Sequence, residues 1–161
     1  LRLDPDYAAA RALLAWCHEW CFARAGFAEG EKLAALRHAR KAAASGTDDA
    51  TALAIAGFVL TLLSKDSEAG LSAIDRALAL NPSCATALYL GGVANALSGF
   101  PAPAIALSQR ALRLSPFDSL NALTNNALSI AYFQTGRYEE ARDAARRSIG
   151  CRRGRRWPAR R

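Results

Sequence analysis

Apolar residues recur along most of the chain at helical spacing. Leu71, Ile74, Ala77 and Leu78 fall three and four apart, the interval that puts side chains on one face of a helix. Breaks at Gly, Pro, Asp and Asn divide the pattern into eight segments: 5–23, 30–45, 49–64, 66–80, 84–98, 101–115, 118–135 and 137–150. Each predicts a helix with an apolar stripe. Composition points the same way. Ala occurs 37 times and Leu 22 times, while Val and Ile together number 7. Ala loses no side-chain entropy in a helix, and β-branched residues are what a sheet would need.

The segments repeat. Asp4-Pro5, Asn81-Pro82 and Ser115-Pro116 mark one junction three times, with 34 residues from Pro82 to Pro116. Ala50-Thr51-Ala52-Leu53 returns as Ala85-Thr86-Ala87-Leu88, and Arg76-Ala77-Leu78-Ala79-Leu80 as Arg110-Ala111-Leu112-Arg113-Leu114. A small residue holds each of three fixed places per unit: Ala15, Ala35 and Ala42, then Gly57, Gly70 and Ala77, then Gly92, Ala104 and Ala111, then Ser129, Ala141 and Ser148. Two helices approach closely only where the contact carries no bulky side chain. With its period and its junction Pro, the chain resembles the tetratricopeptide repeat family over residues 1–149. The resemblance implies an all-α, right-handed superhelical array of about four helix hairpins, an α-solenoid, with units at about 5–45, 48–80, 82–115 and 118–149.

Some positions depart from the family pattern. The first unit carries about 8 extra residues around Phe22–Gly30, which places a long turn there, and the fourth carries about 3 after Pro116. Thr47-Asp48 stands where a junction Pro is expected, and Asn125 where a large apolar residue is usual.

Such an array has a concave face lined by the first helix of each hairpin. By repeat register this partner-binding face comprises Ala12, Trp16, Trp20, Ala54, Phe58, Tyr89, Val93, Asn126 and Ile130. Aromatic residues there suit docking, because they bring large contact area with few rotors. The other reading is that Trp16, Trp20 and Phe58 fill core between neighbouring helices. Some family members hold acidic peptide C-termini with a Lys, Arg and Asn clamp on this face. The matched positions here carry Ala12, Trp16, Ala54, Phe58, Tyr89 and Val93, so the expected partner is an apolar helix or extended segment of a protein, or a domain of the parent enzyme.

The runs Leu3-Asp4-Pro5-Asp6-Tyr7-Ala8, Leu14-Ala15-Trp16-Cys17 and Asp48-Asp49-Ala50-Thr51-Ala52-Leu53-Ala54 are also similar to the repeat region that follows the catalytic domain of bacterial class III adenylate or guanylate cyclases. That resemblance implies a regulatory or assembly arm and carries over no catalytic residue. The chain has no Met and begins at Leu1, which reads as a segment of a longer protein, and its Ala and Arg excess suggests a bacterial source.

The net charge of +7 is concentrated at one end, since residues 152–161 hold six Arg and no acid and the rest sums to +1. Residues 150–161 lack apolar periodicity and read as a basic, disordered tail. It is either an arm for nucleic acid or anionic lipid, or a truncated or out-of-frame end. Nucleic acid is expected through the tail alone. Pro interrupts the longest uncharged run, 77–109, so no membrane span is expected, and no secretory signal is visible. Cys17, Cys21, Cys84 and Cys151 do not form a disulfide framework, which points to reduced thiols in the cytoplasm.

Candidate chemistry is sparse. Cys17-His18-Glu19-Trp20-Cys21 sets two thiols on one helix face with His18 turned about 100° away. A zinc site would need a fourth ligand such as His38. The simpler reading packs both thiols against the next helix. No phosphate loop, nucleophile elbow or HExxH pattern occurs, so no cofactor, metal or catalysis is expected of this segment. Asp48-Asp49 and Glu139-Glu140 sit near helix starts, where they favour the helix dipole. Neither end shows a polar capping helix, which predicts self-association or instability of the isolated segment.

Overall fold

A computed structural model describes residue 4 and residues 7–46, 48–64 and 67–153 of the chain, with 151–153 by backbone alone. Among these residues there are eight helices and no strand: α1 Ala8–Arg24, α2 Glu29–Ala44, α3 Ala50–Leu63, α4 Ser67–Leu80, α5 Ala85–Leu97, α6 Pro101–Leu114, α7 Asn121–Gln134 and α8 Tyr138–Arg153. They pair as hairpins α1/α2, α3/α4, α5/α6 and α7/α8. The first helices stack α1 on α3 on α5 on α7, and each second helix also packs on the first helix of the next hairpin. Extensive contact is confined to neighbouring hairpins, which makes the architecture a solenoid.

The small residues explain how each hairpin closes. All of the fixed small sites except Ser129 are buried. A Cβ at Gly57 would fall 2.5 Å from the Gly70 carbonyl oxygen and 2.9 Å from Ile74 Cγ1. One at Gly70 would strike Thr61 Oγ1 and lie 2.6 Å from the Gly57 oxygen. One at Gly92 would strike Ser108 Oγ. The α3/α4 and α5/α6 contacts therefore use the absence of a side chain. Between hairpins the core is built from Leu53, Val59, Leu88, Leu90 and many alanines.

Three local departures have physical causes. The extra residues of the first unit lengthen its helices instead of forming a long turn: α1 has 17 residues and α2 has 16, against 14 in each of α3 and α4. The turn itself is short. Gly26 at φ +91° and Phe27 at φ +60° reverse the chain, and the Phe22 and Phe27 rings meet edge to face at 5.3 Å. In the fourth unit Asp118 accepts a hydrogen bond from Leu120 N at 2.7 Å, while Asn121 Nδ2 donates to the carbonyls of Ser115 and Pro116. That turn delays α7 to Asn121 from the expected 118. At the junction without Pro, Asp49 caps α3 by accepting from Thr51 N at 2.8 Å and Ala52 N at 3.1 Å.

Asn125 is buried yet satisfied. Its Nδ2 donates to the Asn121 carbonyl and its Oδ1 accepts from Arg147 Nε. Helix α8 runs on to Arg153, three residues past the expected helix end at 150 and through the first four residues of the expected tail, and residues 154–161 lie outside the described residues. Among the described residues no helix is long and apolar enough to cross a membrane.

Candidate functional site

Helix α1 sets Leu13, Trp16, Cys17, Trp20 and Cys21 at i, i+3, i+4, i+7 and i+8, so they form one stripe. The helix's buried residues, Ala8, Arg11, Ala12 and Ala15, lie on the opposite side. With Leu120, held out by the Asp118 turn, the stripe lines a recess of about 470 Å³ with apolar walls. Leu13 and Trp20 are 54% and 44% exposed, and Trp16 is half-buried. The Arg24 guanidinium lies 3.5 Å over the centre of the Trp20 ring, which puts a cation at the rim. Burial holds the Glu19 carboxyl above the usual carboxylate range, with Arg24 opposing that shift.

The residues expected to form a continuous concave face occupy two kinds of place. Ala12, Ala54, Tyr89 and Asn126 share one register position, and Trp16, Phe58, Val93 and Ile130 share another. Ala12 and Ala54 are fully buried, and Phe58, Tyr89 and Val93 are 5–6% exposed. In the last unit, where no further hairpin follows within the described residues, Asn126 is exposed and Ile130 half-buried. Where a hairpin follows, it covers these two positions, except that the larger Trp16 reaches past it into the recess; Trp20, at neither position, is exposed. Burial pushes the Tyr89 phenol up to about 12, against a lowering hydrogen bond with Thr86. Of the expected face, Trp16, Trp20, Asn126 and Ile130 are accessible. The structure brings Trp16 and Trp20 together in the recess, and Asn126 lies at the far end of the array.

The sequence pattern placed none of Leu13, Cys17, Cys21 and Leu120 on a docking surface. The three on α1 have a signal, a second apolar stripe at helical spacing. Leu120 has none, because a turn places it. Cys17 and Cys21 are free and exposed on the recess wall, which corrects the expectation that they pack against the next helix. His18 points away from them: its Nδ1 is 2.6 Å from Glu31 Oε2, and its ring stacks on His38 at 5.8 Å between centroids. Burial pushes the His38 imidazole below its ordinary value, helped by the cations Arg37, Arg11 and Lys41 and by the neighbouring His18 ring. Among the described residues no three His, Cys, Asp or Glu gather as metal ligands would.

A recess of this size suits a small ligand or a few side chains. With apolar walls and one cation at the rim, it can desolvate apolar groups and offers little to orient a polar metabolite.

No family model matches the sequence, and no curated protein matches it. Two crystal structures of MamA are similar in fold. One aligns with 94% of this chain and 76% of its own at 22% identity and a TM-score of 0.61. The other aligns with 96% of this chain and 83% of its own at 21% identity and a TM-score of 0.62. With its four hairpins and their small-residue contacts, the chain is an all-α, right-handed superhelical array of tetratricopeptide-like type, similar in fold to MamA.

Proposed function

We propose that this chain is a protein-interaction scaffold that seats an apolar or amphipathic segment of a partner in the recess between α1 and Leu120. The observation that carries this reading is the open apolar wall built by Trp16, Trp20 and Leu13. Covering it removes apolar area from water, the main favourable term in association. An acidic residue at the edge of the segment would meet Arg24. A narrower form, in which the module regulates or assembles a parent cyclase, rests on the sequence runs at residues 3–8, 14–17 and 48–54 alone. The alternative, a nucleic-acid-associated regulator, rests on the six Arg of residues 152–161.

The test is titration with a panel of amphipathic helical peptides, read by tryptophan emission. We expect a blue shift, micromolar affinity and weakening of at least about tenfold in Leu120→Asp. Affinity should change little between about 50 and 200 mM salt, whereas phosphate contacts through the tail would weaken steeply. If no peptide binds, or if Leu120→Asp binds as the wild type does, the recess is not a docking site.

A further inference from the structure

The two ends of the array present the two halves of the contact that joins its hairpins. Leu13 is in register with Ile55, Leu90 and Ala127, and Cys17 with Val59, Ala94 and Ala131. Those six partners in α3, α5 and α7 are at most 2% exposed, because the preceding hairpin covers them. On α1 the same positions are open: Leu13 is 54% exposed, and Cys17 is exposed.

At the other end, Asn126, Ala145 and Ile149 are in register with Tyr89, Ser108 and Leu112. Helix α7 covers the groove those three form between α5 and α6, leaving Tyr89 and Ser108 buried and Leu112 half-buried. Among the described residues nothing covers the equivalent groove between α7 and α8. It is a recess of about 240 Å³ lined by Asn126, Ala145, Ser148 and Ile149, and Ile149 is 56% exposed.

We propose that the chain associates head to tail with a second copy of itself, α1 of one copy seating in the α7/α8 groove of the other. Each end offers what the opposite end lacks, and the joint continues the α5/α6-to-α7 contact already inside the chain. Such a contact is heterologous, so it does not close on itself and adds copies one after another. It uses the Leu13 and Cys17 edge of α1, which also borders the recess; Leu120 lies in the recess alone and Ile149 in the far groove alone.

The test is sedimentation velocity of the full chain over a range of concentrations, in reducing buffer because Cys17 and Cys21 are exposed. The weight-average mass of the wild type should rise with concentration. Leu13→Asp blocks the head and Ile149→Asp blocks the tail, so each variant alone should stay monomeric. Mixed in equal amounts they should form dimers and stop there, because one free head meets one free tail. Both side chains are about half exposed, so the variants should fold, as circular dichroism will show. A wild type that is monomeric throughout overturns the proposal, as does Ile149→Asp that assembles like the wild type. Assembly abolished by moderate salt would assign it to charge and overturn the proposal too. Leu120→Asp should assemble normally while losing peptide binding, so this inference and the docking reading fail separately.

Discussion

Replacing Gly57 with Ala tests whether the hairpins close through absent side chains. The new methyl group would lie 2.5 Å from the Gly70 carbonyl oxygen and 2.9 Å from Ile74 Cγ1. A carbon and a carbonyl oxygen ordinarily stay about 3.3 Å apart, so α4 must retreat by about 0.8 Å. Neither obstacle yields easily: one is backbone, and Ile74 is fully buried. A retreat of that size loosens every contact along the α3/α4 seam, and overpacking of this kind costs about 1–3 kcal/mol. Against it stands the better helix propensity of Ala, worth about 1 kcal/mol. With the cost near its upper end, the net loss is about 2 kcal/mol. At this chain length that lowers the melting temperature by about 4–8 °C. Gly30→Ala is the control, since a Cβ there meets nothing within 4 Å. It should leave stability unchanged or raise it by up to about 1 kcal/mol. Thermal unfolding followed by far-ultraviolet circular dichroism reads both. If Gly57→Ala melts at or above the wild type, or Gly30→Ala falls as far, the close-approach argument is wrong.

Two further outcomes follow from local chemistry. Asp49→Ala removes the acceptor that Thr51 N and Ala52 N share, and should cost about 1 kcal/mol, while Asp49→Asn should keep most of the cap; urea unfolding midpoints compare the three proteins. The His38 imidazole lies below the ordinary 6.5 in the folded chain, so the unfolded chain binds more protons between the two values. Its contribution is therefore complete above 6.5 and is lost as pH falls toward the folded value. His38→Gln should flatten the fall of the melting temperature below pH 6.5, and equal slopes in the two proteins would exclude this linkage.

Much of the fold is legible in the sequence because hairpin closure depends on a local, periodic signal. Gly57, Gly70, Gly92 and Ala104 could be placed by counting, and each sits at its helix contact. Direction is harder to read. Phe58 and Tyr89 look like surface aromatics in the register, but whether such a position meets solvent depends on how far each hairpin rotates onto the next. That rotation belongs to the stack, not to any single helix. The shortness of the turn after α1 was hidden for another reason. Ala23, Arg24 and Ala25 are good helix formers beside Gly26, and the tight reversal at Phe27 is set by φ, not by composition. Leu120 reaches the recess through the Asp118 turn, a hydrogen-bonding accident of three residues that apolar spacing does not encode.

Because each hairpin leans mainly on its immediate neighbours, the molecule resembles a stack of coins more than a ball. Pulled from both termini, it should peel one hairpin at a time, starting from the terminal units that have one neighbour instead of two. Damage in one unit should likewise stay local: its neighbours lose one supporting surface and keep their own internal closure. Such a body can yield elastically under load and recover by re-stacking, without ever passing through a wholly unfolded chain.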